Sequence, residues 1–241
     1  MHFDPHTGAA GPFEAEGDET LPVLQAIERP PFRWEGFTPP AHHPSDPPVQ
    51  TAPLLGEGLY DGIATLPDRW IRMACDTARR SVETDGGPFG AVVVQVDSAT
   101  GRVLRHWVGR NHVTFSSDPT AHAEVSVLRA ACRDLGVFHL DDISPAARLP
   151  QPGESSFCVL YSSTEPCPMC YASLRWARVR RLCFAATRFD AAVPGVEFSD
   201  LAFYEEILAP YAARAFPVFQ SSPGNALDAF NLWKRSAKTN Y

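Results

Sequence analysis

No stretch of the 241-residue chain approaches the ~18 consecutive apolar residues that a membrane-spanning helix needs, so no such helix is expected. Residues 1–19 lack the basic and apolar regions of a secretory signal, and they lack the arginines of a transit peptide. Cysteine is sparse. Six residues, two of them in a Cys-x-x-Cys, point to metal or redox chemistry in a reducing compartment rather than to a disulfide framework. The cytoplasm is therefore the expected location. Most of the chain also lacks an excess of either charge: beyond residue 53 there are 20 acidic and 19 basic residues. This near balance neither requires nor forbids a nucleic-acid partner.

What is present in excess is proline, and it is concentrated. Of 23 prolines, 11 fall within residues 1–53, where eight acidic residues face only Arg29 and Arg33. Pairs such as Pro30-Pro31, Pro39-Pro40 and Pro47-Pro48 block helix and favour polyproline II. Residues 1–60 read as an acidic, proline-rich N-terminal extension, and residues 61–241 as one folded domain. Large apolar side chains at Leu24, Ile27, Phe32, Trp34 and Phe37 predict that residues 20–37 pack on that domain.

From Pro67 the pattern becomes regular. Pro67-Asp68 opens a helix whose buried face carries Trp70, Ile71, Ala74, Ala78 and Val82. Residues 91–96 and 103–109 form a hairpin around a turn at 97–101. Asp118-Pro119-Thr120 marks the start of a helix to Leu135, and Pro166 that of another to Ala177. Buried strands are expected at 157–161 and 181–186, a short one at 216–219, and helices at 201–208 and 226–238. Helices alternating with strands after a hairpin predict a three-layer α/β/α sandwich around a mixed five-stranded sheet.

Two short motifs carry the chemistry. His122-Ala123-Glu124 and, about forty residues later, Pro166-Cys167-Pro168-Met169-Cys170 both fall at helix starts. A helix N-terminus favours thiolates, and two thiols one turn apart can share one metal. With the imidazole of His122 they make a three-ligand zinc set that leaves a position for water, the arrangement of a catalytic site. Glu124 is placed to reach that water without binding the metal. Alone, the Cys-x-x-Cys also suits a redox pair or half of a structural site. Together the motifs match the zinc deaminase signature His-x-Glu…Pro-Cys-x-x-Cys. Cys75, Cys132, Cys158 and Cys183 read as small core residues.

On these motifs the chain resembles the cytidine-deaminase superfamily and, within it, the bacterial guanine deaminases. The resemblance spans about residues 67–241. It includes Gly-Gly-Pro-Phe-Gly-Ala-Val at 86–92, Asn111, Asp-Pro-Thr-Ala-His-Ala-Glu at 118–124, Glu-Pro-Cys-Pro-Met-Cys at 165–170, Trp-Ala-Arg at 176–178, Tyr-Glu-Glu-Ile at 204–207, Trp233 and Tyr241. The extension has no counterpart in that pattern, and Val193–Phe198 is longer than it. The resemblance implies zinc-dependent hydrolysis of guanine to xanthine and ammonia, with one Zn2+ per chain held by His122, Cys167 and Cys170. It implies Glu124 and Asp200 as catalytic residues and Asn111, Phe89, Ala123, Trp176 and Tyr241 as substrate contacts. By residue type alone, Asn111 reads equally well as a turn residue, Asp200 as a helix cap, and Phe89 and Trp176 as core. The resemblance further implies a small-molecule nucleobase as partner and a homodimer in which the C-terminal segment, with Tyr241, can close a neighbour's site. The alternatives are a related aminated ring (guanosine, cytosine, ammeline), a tRNA adenosine deaminase, or a catalytically silent zinc-containing binding protein. Arg175, Arg178, Arg180 and Arg181 are expected to form a solvated face rather than an RNA-binding stripe.

Overall fold

A computed structural model describes residues 58–63 and 68–236. The chain divides into a unit spanning Pro22–Asp68 and a unit that holds everything from Arg69 onward. In the first, residues 58–63 turn twice: Asp61 N–H donates to the Gly58 carbonyl and Ile63 N–H to that of Tyr60. The expected packing of residues 20–37, the role of Pro67 as a helix start and the position of Tyr241 lie outside the described residues.

The second unit runs α1 (Arg69–Glu83), β1 (Gly90–Asp97), β2 (Val103–Arg110), α2 (Val113–Ser116), α3 (Ala123–Leu135), β3 (Ser156–Thr164), α4 (Pro168–Trp176), β4 (Arg181–Ala186), α5 (Arg188–Ala191), α6 (Leu201–Leu208), a 3-10 turn at Tyr211–Ala213 and α7 (Asp228–Arg235). Among the described residues the sheet has four strands in the order β2-β1-β3-β4. β1 pairs antiparallel with β2 and β3, while β3 and β4 are parallel across the α4 crossover. This is the expected mixed sheet with one strand fewer. No strand forms at 216–219, because Pro217 removes a ladder N–H from the middle of the run. β4 is correspondingly an edge strand, partly exposed rather than buried.

Every residue of β1 is buried, which requires cover on both faces. Alternation supplies it. Val92, Val94 and Val96 pack with Trp70 and Ala74 of α1, and Ala91 and Val93 pack with Ala123, Val127 and Ala131 of α3. The buried stripe of α1 is Trp70, Ala74, Ala78 and Ser81, whereas Val82 is 54% exposed. Position 81, not 82, lies three full turns after 70. Gly109 lets β2 lie close to α3: a β-carbon there would meet the Ala123 carbonyl oxygen and Val127 Cβ, each at 2.7 Å.

Two helix starts fall later than their sequence signals. Asp118 builds a turn instead, its Oδ1 accepting from Thr120 N–H (2.8 Å) and Oγ1 (2.7 Å), and α3 begins at Ala123 with His122 in extended conformation. Likewise α4 begins at Pro168, with Cys167 rather than Pro166 preceding it.

One end of the sheet gathers the chemistry. Phe89 precedes β1, Asn111 follows β2, Glu165 to Cys167 follow β3 and Arg188 follows β4. Backbone hydrogen bonds carry the pairing into these loops: Asn111 N–H to the Phe89 carbonyl (3.1 Å) and Glu165 N–H to the Ala186 carbonyl (2.8 Å).

Candidate active site

His122 and Cys167 each cap a helix, and the two helix starts face one another. The Nδ1 atom of His122 lies 3.6 Å from Cys167 Sγ and 3.5 Å from Cys170 Sγ. Cys167 Sγ accepts from the Cys170 N–H, so helix geometry fixes the second thiol against the first. All three donor atoms lie within 4.8 Å of one another. Bonds of about 2.0 Å to nitrogen and 2.3 Å to sulfur at a tetrahedral angle put such ligands about 3.6 Å apart, so the donor set fits zinc in both chemistry and spacing.

The two thiols perturb one another in opposite directions. Hydrogen bonds from the Cys170 thiol, the His122 ring and the Cys170 N–H push Cys167 down, while the bond to Cys167 and burial push Cys170 up. His122 is held above its ordinary value chiefly by its hydrogen bond with Cys167. The other cysteines differ. Cys158 is fully buried in the core, and burial pushes the Cys132 thiol up to about 11.

Glu124, the second residue of α3, is 5% exposed and accepts a hydrogen bond from Ser162 Oγ at 3.3 Å. Burial raises its carboxyl above the usual carboxylate range. Asp200 is raised for the same first reason, burial, with the nearby Cys167 sulfur adding to it. It occupies the position before α6 but makes no side-chain capping bond.

A cavity of about 410 Å³ opens beside these groups, a size suited to a small ligand. His122, Glu124, Cys167, Asp200, Asn111 and Phe89 all line it. Phe89 meets Phe198 edge-on with ring centroids 5.0 Å apart, forming an apolar corner. Asn111 is 6% exposed and its Oδ1 accepts from Val113 N–H at 3.1 Å, so it is both a turn residue and part of the cavity wall. Two expected contacts do not line the cavity. Ala123 is fully buried in the core between two residues that do line the cavity. Trp176 sits at the far end of α4, 67% exposed and about 14 Å of helix rise beyond Cys167. Tyr241 lies outside the described residues.

The cavity wall also contains residues not singled out from sequence: Glu165, Arg188, Glu197, Phe198 and Phe203. Glu165 and Arg188 form an almost buried ion pair, with side chains 10% and 14% exposed. Besides the guanidinium, the backbone N–H of Arg188 donates to Glu165 Oε2 at 3.0 Å. The Glu165-Pro166-Cys167 sequence was the available signal for the acid; the arginine, 23 residues on, had none.

Arg175, Arg178, Arg180 and Arg181 are all exposed. The guanidinium of Arg180 lies 4.3 Å from the Phe157 ring centroid and donates to the Asp141 carbonyl.

Comparison with known proteins agrees with this geometry. A profile of the cytidine and deoxycytidylate deaminase zinc-binding region matches residues 65–186. The guanine deaminase of Bacillus subtilis is 38% identical over 173 residues, covering 72% of this chain and 94% of that protein. The X-ray structure of guanine deaminase from Bacillus subtilis superposes with a TM-score of 0.59 at 36% identity, covering 73% of this chain and 99% of that one. A tRNA-specific adenosine deaminase of Agrobacterium fabrum is 36% identical over 131 residues, covering 54% of this chain and 72% of that protein. With the metal-ligand set, the buried glutamate and the fold all in place, the chain belongs to the cytidine and deoxycytidylate deaminase family of zinc-dependent hydrolytic deaminases.

Proposed function

We propose that this protein deaminates guanine by hydrolysis, releasing xanthine and ammonia. The observation that carries this reading is the reach of the similarity. It covers 72% of this chain and 94% of a guanine deaminase, whereas the likeness to a tRNA-specific adenosine deaminase covers 54% of this chain and 72% of that protein. The cavity supports it: an apolar corner at Phe89 and Phe198 suits a flat ring, and Asn111 offers an amide to a purine edge.

His122, Cys167 and Cys170 would hold zinc, which would supply the Lewis acidity that makes water a competent nucleophile near neutral pH. The protein's own groups manage the protons. Glu124 takes the proton of the attacking water and delivers it to ring N3 as the new C2–O bond forms, so the ring does not accumulate negative charge. It then takes the remaining proton from the new C2 hydroxyl and passes it to the amine, so that the C2–N bond breaks as the C2 carbonyl forms and ammonia leaves. Asp200, facing the same space, accepts from the substrate amine and orients it. Ammonia release measured side by side on guanine, guanosine, cytosine, adenine and ammeline tests the assignment. Guanine is expected to lead by at least tenfold in kcat/KM, roughly the value of one well-placed polar contact. A higher value for any of the others would displace it.

The same reading places the protein in the cytoplasm, with residues 61–241 as the deaminase domain and residues 1–60 as an extension outside it. No helix among the described residues is long and apolar enough to cross a membrane. The protein is further proposed to be a homodimer that can exchange C-terminal segments, with Tyr241 closing a site and no nucleic-acid partner. Phe203, Phe216, Phe219, Phe230 and Leu232 support this, each more than half exposed in the C-terminal third. Light scattering is expected to give twice the chain mass, and deletion of the last few residues to raise KM for guanine. A monomer, or unchanged kinetics on truncation, contradicts the corresponding half.

A further inference from the structure

Asp200 is held at the cavity by a helix that hydrophobic burial does little to fix. Among the described residues, no side chain of α6 is buried. What ties the helix down is polar and aromatic. The Tyr204 hydroxyl donates to the Pro166 carbonyl at 2.9 Å, and the Arg188 guanidinium lies over the Tyr204 ring, 3.6 Å from its centroid. Arg188 in turn grips Glu165 through its Nε at 2.9 Å and its backbone N–H at 3.0 Å, with Nη2 as a further donor. Since Glu165 and Pro166 are neighbours, these contacts close a circuit around the residues leading into Cys167. The Tyr204 N–H also donates to the Asp200 carbonyl at 3.3 Å, so the anchored residue lies one helical turn from the carboxylate it would place.

We propose that Tyr204 is a positioning residue. The circuit Glu165–Arg188–Tyr204–Pro166 latches α6 onto the loop that carries the cysteine ligands, and thereby sets Asp200 against the cavity. A planar cation is needed in the middle: it meets a carboxylate edge with two nitrogens while its face lies on a ring. The kinetic consequences rest on guanine deamination as proposed above; the latch itself is a property of the fold.

Two readouts on the zinc-loaded full chain test it. In a double-mutant cycle with guanine, Tyr204→Ala is expected to lower kcat/KM by about 100-fold, the scale of a small misplacement of a reacting group. Tyr204→Phe, which keeps the ring beneath Arg188 and loses the hydroxyl, should fall between. In an Asp200→Asn background the Tyr204→Ala loss should nearly vanish, because the two residues act as one unit. A full, additive loss in that background overturns the proposal. Hydrogen exchange supplies the second readout, independent of substrate. Amides of residues 199–208 should exchange faster in Tyr204→Ala, with α1 and α3 unchanged and zinc still at one per chain. Unchanged exchange overturns the latch. If the wild-type protein leaves guanine untouched, the proposed activity falls while the exchange measurement still decides the latch.

Discussion

Replacing Glu124 with glutamine is expected to lower kcat for guanine by about 10⁴-fold, the upper range for loss of a general acid–base, while one zinc per chain remains bound. The two halves of this expectation have separate causes. Glutamine keeps the shape of the side chain and can still accept the hydrogen bond from Ser162, so packing at this 5%-exposed position is preserved. It cannot hold and return a proton, and a buried carboxyl raised above its usual range is suited to that task. Zinc should stay because the donor set is His122, Cys167 and Cys170, and Glu124 is not among them. Steady-state kinetics with metal analysis on one preparation reads both. Wild-type turnover in the variant would remove Glu124 from the mechanism. Loss of zinc alongside activity would recast it as a metal-site residue.

Stripping the metal should have the second largest effect. With excess chelator, activity is expected to fall below detection and the thermal midpoint to drop by about 10 °C; zinc added back at one equivalent per chain should restore both. The stability change follows from where the ligands sit. His122 precedes α3 and the two cysteines begin α4, so a bound ion would join the starts of two helices. A ligand at a thousand times its Kd adds about 4 kcal/mol to the folded state. At roughly 2–4 °C per kcal/mol for a domain of this size, that becomes about 10 °C. Cys170→Ala should reproduce both losses without chelator. An unchanged midpoint in the stripped protein would mean that the metal contributes little to holding the helices together.

The legible part of this protein is the part whose chemistry is local in sequence. His122 with Glu124, and Cys167 with Cys170, are each bound to a single helix start, and their spacing means the same thing before and after folding. The strand alternation of β1 is legible for a related reason, since each residue commits to one of two faces. Element starts slipped where one residue type serves two structures: Asp118 before a proline suits a helix start and a turn equally, and the turn formed. The apolar run at 216–219 resembled a strand until Pro217 is counted as a missing donor. Trp176 stands outside the cavity wall because helix rise, not sequence proximity to Cys170, decides where it sits. The Glu165–Arg188 pair and its stack on Tyr204 bring together three segments with no shared periodicity, so only the folded chain shows them.

The central claim is that this chain replaces the amine on C2 of guanine with oxygen taken from water. Running the zinc-loaded protein on guanine in heavy-oxygen water, and weighing the product by mass spectrometry, tests it most directly. The expected product is xanthine carrying one heavy oxygen, with one ammonia released per turnover and neither formed by Glu124→Gln. Guanine recovered unchanged, or xanthine free of the label, would contradict it.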